Sequence, residues 1–162
     1  MDRIYGHSQG KRTFYVKDKS TRAATENSFS SDMSDQVPFV DVEFMENPEP
    51  RCPCVLLLDV SYSMSGEPIS RLNQAVELFS RELLDDPLAS KRVELAIVTF
   101  GTEVRPAQEF ISPRNFIPTP FQANGATPMA EAVVKGARLL EARKEEYRKA
   151  GVQYFRPWMF II

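Results

Sequence analysis

Residues 54–59 have the sequence CVLLLD, an uninterrupted apolar run that ends in an aspartate. A run of this length is typical of a strand that is buried on both faces, as in a parallel sheet. The run VELAIVTF at 93–100 has the same character, and a third buried strand is predicted over Phe155–Ile162. Since parallel strands need crossover connections, helices are expected between these runs.

Two helices are predicted between the strands. Pro68 occupies the position of a first helical residue, and Asp85-Asp86-Pro87 ends the first helix. Its apolar residues follow at spacings of three and four, and they are Ile69, Leu72, Val76, Phe79 and Leu83. The second helix opens at Thr127-Pro128 and is expected to end at Gly151. Its apolar stripe consists of Met129, Val133, Gly136, Leu140 and Tyr147.

The second helix also carries a run of charged residues, which we interpret as a solvated face. They are Glu141, Arg143, Lys144, Glu145, Glu146, Arg148 and Lys149. A shorter strand over Val104–Phe110 is predicted to pair as a hairpin with the run at 93–100. The alternation over Val40–Phe44 indicates an edge strand or an extended arm.

The order of elements predicts the fold class. Strand, helix, strand, hairpin strand, helix and strand in succession are typical of an α/β protein with a mostly parallel sheet. The third apolar strand is also the last segment of the sequence. Because a bare apolar strand favours aggregation, we expect the fold to be incomplete at the C-terminus.

Residues 1–32 differ from the rest of the chain. They hold six basic and four acidic residues and show no sustained apolar period, so we predict a largely disordered N-terminal extension. The folded domain is expected over residues 33–162. Two interpretations of the extension stay open, which are a flexible tail and extra residues ahead of a natural start at Met33.

Composition excludes several classes of protein. With 20 Lys and Arg against 22 Asp and Glu, the net charge is -2, which does not favour nucleic-acid binding. There is no apolar run long enough for a membrane span and no signal-peptide pattern, so a cytoplasmic protein without a membrane partner is expected. His7 is the only histidine, which excludes a multi-histidine metal site. Cys52 and Cys54 are interpreted as reduced thiols rather than as a redox pair.

Asp59, Ser61 and Ser63 form the pattern Asp-x-Ser-x-Ser directly after the first buried strand. Open α/β sheets bind ligands at this position, and hydroxyl and carboxylate oxygens suit Mg²⁺ or Mn²⁺. Thr127 opens the second long helix, and a right-handed crossover can bring its loop beside the first one. These four residues are candidate metal ligands. Ordinary loop serines and a threonine that only caps the helix are the alternative interpretation.

These motifs resemble the von Willebrand factor A (VWA) domain and its metal-ion-dependent adhesion site. The resemblance covers residues 37–162 and rests on VLLLDVSYSMSG at 55–66, VELAIVTFG at 93–101 and GATPM at 125–129. The segments VPF, NPEPRCPC and YFRPWMFII further resemble those of bacterial TerY/YegL-type proteins, which are linked to tellurite resistance. The resemblance implies a doubly wound, Rossmann-like sheet. It also implies that Ser61, Ser63 and Thr127 bind Mg²⁺ directly, with Asp59 binding directly or through water.

Two features depart from the family pattern. Tyr62 stands between the two serines, where the family often has glycine. The sequence also ends before the Thr-Asp-Gly segment that the family carries after the strand matching Phe155–Ile162. We therefore expect residues 33–162 to form a partial VWA domain that lacks one carboxylate of the family's site.

The expected function is a protein-interaction module. Neutral hydroxyl ligands leave the charge of Mg²⁺ largely uncompensated, which favours a Glu or Asp from a protein partner. The resemblance implies a role in tellurite or stress resistance, with phosphatase- or kinase-type proteins as partners. An enzyme is not expected, although a haloacid-dehalogenase-like phosphotransferase with Asp59 as nucleophile is one alternative. That class needs an acidic residue at the position of Ser61. A non-functional truncated fragment is the other alternative.

Overall fold

The computed structural model describes residues 47–162, so the predictions made for residues 1–32, Met33 and Val40–Phe44 lie outside the described residues. The described chain forms one four-stranded sheet. Its strands are β1 (Cys52–Asp59), β2 (Val93–Phe100), β3 (Val104–Ile111) and β4 (Trp158–Ile161). Their order in the sheet is β3-β2-β1-β4. Strand β1 pairs in parallel with β2 and β4, whereas β2 and β3 form the predicted antiparallel hairpin. The mixed α/β fold with a mostly parallel sheet is therefore confirmed.

Three helices connect the strands, namely α1 (Glu67–Asp85), α2 (Ala89–Arg92) and α3 (Met129–Ala150). Helix α1 begins one residue earlier than predicted, with Pro68 in its first turn. Helix α3 ends as predicted, because Gly151 takes the left-handed conformation that terminates many helices. Within residues 47–162, no helix is both long enough and apolar enough to cross a membrane.

The core lies in two layers, one on each face of the sheet. On one face, Leu56 and Leu58 of β1 pack with Leu72 and Val76 of α1. On the other face, Val55 and Leu57 of β1 pack in a cluster that includes Ala132 and Leu140 of α3. Because alternate residues of a strand point to opposite faces, both helices obtain their contacts from the same apolar run. The prediction that this run is buried on both sides is confirmed.

Of the predicted apolar stripe of α3, Gly136, Leu140 and Tyr147 are buried, whereas Val133 is half-buried and Met129 is exposed. The buried residues of this helix are Ala132, Gly136, Leu140, Arg143 and Tyr147. Met129 is 45% exposed, because it is the first helical residue and lies next to an exposed loop instead of over the sheet. The interpretation of Arg143 as part of a solvated face is wrong, since this side chain is buried against an acidic residue of β2.

Glu94 of β2 is the centre of a buried polar network. Arg143 Nε donates to Glu94 Oε2 at 2.6 Å, and the Tyr147 hydroxyl donates to the same oxygen at 2.5 Å. Arg51 Nε lies 3.2 Å from Glu94 Oε1, so both carboxylate oxygens face a guanidinium. Burial raises the pKa of Tyr147, and the negative charge of Glu94 adds to the increase. Burial alone would lower the pKa of Arg143, but its hydrogen bond and ion pair with Glu94 outweigh that effect.

The last strand also differs from the prediction. The structure places β4 at an edge of the sheet, where Trp158, Phe160 and Ile161 are each at least 41% exposed. The prediction of a third buried strand over Phe155–Ile162 is therefore wrong for this structure. The reason is positional, because β4 has β1 as its one strand neighbour in the described sheet and the helices pack mainly over β1 and β2.

Replacement of Glu94 by glutamine should destabilise the fold strongly. The change removes the buried carboxylate charge that Arg51 and Arg143 both face, while Arg143 keeps its pair with Glu146, and breaking a buried ion pair costs about 3–5 kcal/mol. Glu141→Gln is the matched control, because Glu141 pairs with Lys144 at the surface, where solvent screens the interaction and its contribution to stability is small. Urea unfolding measures both values. Equal losses of stability for the two variants would contradict the role given to Glu94.

The two cysteines of β1 should differ in reactivity. Both are free thiols, and burial raises the pKa of Cys54 to about 12, with the charge of Cys52 adding to the shift. Burial also raises the pKa of Cys52, whose side chain is less enclosed. Since the thiolate is the reactive form, iodoacetamide at pH 8 should modify Cys52 first and reach Cys54 only after unfolding. Peptide mass mapping over time measures the order, and equal rates in the native protein would contradict it.

Candidate metal site

The candidate site lies at the carboxyl end of the central strand. Asp59 is the last residue of β1, and the loop at 60–66 follows it. From β1 the chain goes to β2 on one side and later reaches β4 on the other side. In open α/β sheets, the point where the strand order reverses leaves a crevice at the carboxyl ends of the strands. The predicted motif therefore occupies the position where such sheets bind ligands.

Two short contacts join the residues of the Asp-x-Ser-x-Ser motif. The Ser61 backbone N–H donates to Asp59 Oδ1 at 2.7 Å, and the hydroxyl oxygens of Ser61 and Ser63 lie 2.9 Å apart. Ser61 is buried, Asp59 is half-buried and Ser63 is exposed. A carboxylate that accepts the N–H two residues later forms an Asx-turn, which fixes the direction in which the chain leaves the strand.

A second loop brings the segment of Thr127 to this turn. Asn124 N–H donates to the Val60 carbonyl at 2.6 Å, and Tyr62 N–H donates to the Gly125 carbonyl at 2.9 Å. These backbone bonds join the two loops on both sides of Ser61. Thr127 follows Gly125 by two residues and is exposed. The N-cap position of α3 belongs to Pro128, so the alternative interpretation of Thr127 as the capping residue is wrong.

The turn between β2 and β3 packs closely against the second loop. Gly125 has a φ of +74°, and a Cβ on it would lie 2.2 Å from the backbone nitrogen of Thr102. A Cβ on Gly101 would lie 2.5 Å from the Asn124 carbonyl oxygen. Thr102 Oγ1 also donates to Asn124 Oδ1 at 3.1 Å. Two glycines thus permit a contact that holds the loop ahead of Thr127 in place.

Asn73 of α1 anchors the same loop from the other side. Its amide donates to the Phe121 carbonyl at 3.0 Å and accepts the Phe121 N–H at 2.8 Å. Phe121 itself packs against the core between α1 and the sheet. Sequence reasoning missed both Asn73 and Asn124 as positioning residues. No periodicity in the sequence marks either residue for this role.

Tyr62 is accommodated without a glycine. It begins a short 3₁₀ turn, Tyr62–Met64, whose backbone conformation any residue can adopt. Its side chain is 74% exposed and leaves the two serine hydroxyls in contact with each other. The departure from the family pattern at this position therefore changes the surface around the motif more than the path of the backbone.

The donor set fits a hard divalent cation. One carboxylate and the hydroxyls of Ser61, Ser63 and Thr127 are oxygen donors of the kind Mg²⁺ and Mn²⁺ prefer. Asp59 Oδ1 accepts the Ser61 N–H, and Oδ2 is the second carboxylate oxygen that can face an ion. Among residues 47–162, no group of three or more His, Cys, Asp or Glu side chains could hold a metal. Within this part of the chain, a cation at the motif would depend on hydroxyl donors as well as on the Asp59 carboxylate.

No protein-family model matches the chain, and no curated protein matches it in sequence. Among solved structures, the three N-terminal domains of the type V pili tip protein Mfa5 from Porphyromonas gingivalis are similar to it. The match has 16% sequence identity and a TM-score of 0.45, and it covers 69% of this chain. The chain spans 19% of the length of that protein chain. The VWA-domain resemblance of the sequence stays a prediction.

Gly125→Ala should destabilise the protein more than Gly151→Ala. Both glycines have positive φ, so each alanine carries the cost of a left-handed conformation, about 1–2 kcal/mol. The Cβ at Gly125 meets the Thr102 backbone, whereas the Cβ at Gly151 meets nothing within 4 Å. Chemical unfolding measures the difference between the variants, and equal stability would contradict the close contact between the two loops.

Proposed function

We propose that this chain is a VWA-type protein-interaction module that binds an acidic residue of a partner through Mg²⁺. Asp59, Ser61, Ser63 and Thr127 would hold the ion, with Mn²⁺ as a possible substitute. The observation that supports this proposal best is the Asx-turn of Asp59, which brings the Ser61 and Ser63 hydroxyls within 2.9 Å of each other at the end of β1. Helices α1 and α3 pack on opposite faces of the sheet, and this supports the proposed doubly wound, VWA-type arrangement.

The charge of the donor set favours binding over hydrolysis. Asp59 supplies one negative charge, and the three hydroxyl groups supply none. A bound Mg²⁺ would supply a positive centre with room for an outside carboxylate. Ser61 takes the position where a haloacid-dehalogenase-like enzyme needs its acidic residue, and a hydroxyl does not serve as a general acid or base near neutral pH. The motif thus favours a binding module, not an enzyme.

The cellular role is proposed from the sequence resemblance. TerY/YegL-type proteins are linked to tellurite resistance, so we place this module in tellurite or stress resistance in the bacterial cytoplasm. Phosphatase- or kinase-type proteins with an exposed Glu or Asp would be its partners.

Mg²⁺ binding by the purified chain should depend on the motif. Isothermal titration calorimetry should detect one site, and Ser61→Ala or Thr127→Ala should weaken it by at least about tenfold, since even indirect ligand support is worth that much. Ser70→Ala is the control, because Ser70 is an exposed serine on α1. Equal Mg²⁺ affinity in the wild type and all three variants would contradict the assignment of these ligands.

Binding of an acidic probe should depend on the metal. A fluorescent Gly-Ser peptide that carries one Glu should bind in Mg²⁺, as measured by fluorescence anisotropy, and should be released by EDTA. Replacement of the Glu by Gln removes the carboxylate and should abolish binding. Binding that persists in EDTA, or that does not distinguish Glu from Gln, would contradict the metal-bridged mode.

A further inference from the structure

A polar cleft of about 670 Å³ lies beside the candidate metal site. The cleft lies between the start of β3 and the loop at 119–124. Val60, the residue between Asp59 and Ser61, is one of its lining residues. The lining includes Val60, Thr99, Thr102, Arg105, Gln122 and Asn124. This volume is far larger than one carboxylate group requires. Val60 belongs both to this lining and to the loop of the candidate ligands, so the cleft adjoins the candidate site along the backbone.

The cleft offers one cationic side chain that is free to change partners. Arg105 Nε lies 3.9 Å from Glu103 Oε1, at the limit of an ion pair, and both side chains are about two-thirds exposed. Such a pair at the surface contributes little stability. The guanidinium group can instead donate two parallel hydrogen bonds to a carboxylate, which is its strongest common interaction. Thr99 and Gln122 add a hydroxyl and an amide group to the lining, whereas Thr102 and Asn124 already bond to each other.

We propose that this cleft binds an extended acidic segment of a partner and that Arg105 holds a second carboxylate of that segment. The inference rests on the proposed function, because the first carboxylate is the one that reaches the metal. Glu103 then acts as an internal competitor for Arg105. Since the pair with Glu103 is long and exposed, a partner's carboxylate in better geometry can displace Glu103 from Arg105.

The sheet register gives the distance across the sheet from the end of β1 to Arg105. Leu58, Thr99 and Arg105 lie in one row across β1, β2 and β3. Two strand spacings separate the Cα atoms of Leu58 and Arg105 by about 10 Å. An extended peptide rises about 3.3 Å per residue, so a separation of about three residues spans this distance. Partner segments with Glu or Asp pairs separated by about two to four residues fit the cleft.

Two fluorescent Gly-Ser peptides test the proposal, one with a single Glu and one with two Glu residues in an i, i+3 arrangement. Both are titrated with the full chain in Mg²⁺ at constant ionic strength. The wild type should bind the two-Glu peptide more tightly, on the order of fivefold. Arg105→Gln should reduce this affinity to that of the one-Glu peptide. Glu103→Gln should increase it, because the change releases Arg105 from its competitor.

Arg138→Gln is the matched control, since Arg138 is an exposed arginine on α3 and contributes nothing to the cleft. If Arg105→Gln and Arg138→Gln bind the two-Glu peptide equally, while Ser61→Ala still abolishes binding, the proposed role of Arg105 is wrong and the metal-bridged function stands. If binding survives EDTA and Ser61→Ala, or if neither peptide binds, the proposed function fails and the cleft proposal fails with it.

Discussion

The structure depends on the burial of β1 between two strands and two helices. Backbone hydrogen bonds join it to β2 along one edge and to β4 along the other. Its alternate side chains contribute to the separate core layers under α1 and α3. An element enclosed in this way cannot shift by one residue without moving its apolar side chains to the wrong face. The position of the carboxyl end of β1 is therefore fixed, and with it the position of Asp59, the last residue of the strand.

The network around Glu94 reinforces this arrangement at the opposite end of the sheet. Arg51 precedes β1, Glu94 lies near the start of β2, and Arg143 and Tyr147 come from α3. One carboxylate thus links three parts of the chain that are distant in sequence. Burial makes this link strict, because a charge left unpaired inside a protein costs far more than one left unpaired at the surface. The Glu94 network thus positions the end of the sheet where β1 and β2 begin. Other interactions position the candidate site at the carboxyl end of β1.

Sequence patterns predicted the elements that depend on local periodicity. The apolar runs of β1 and β2, the helix face at Leu72 and Val76, and the stop at Gly151 all follow from spacing within one segment. The burial of Arg143 did not, because it depends on an acidic residue 49 positions away. The exposure of β4 also escaped prediction, since an apolar strand at an edge and one at the centre can have the same sequence.

In the candidate site too, features set by local spacing differ from features that depend on residues distant in sequence. The Asx-turn of Asp59 and the contact between the Ser61 and Ser63 hydroxyls are local features of residues two positions apart, and their role as metal ligands stays a prediction. The approach of the Thr127 segment was expected from the crossover, but the contacts that bring it about were not. Asn73 and Asn124 are common polar residues whose partners lie 48 and 22 positions away. Periodicity carries no information on such pairs.

Paramagnetic broadening by Mn²⁺ tests the central claim that this turn is a divalent-cation site. Backbone amide spectra of the full chain are recorded during addition of substoichiometric Mn²⁺. The amides of Ser61, Ser63 and Thr127 should lose intensity first, and an excess of Mg²⁺ should restore them by competition. Broadening confined to the acidic surface of α3 around Glu141 and Glu145, with the motif unaffected, would contradict the account.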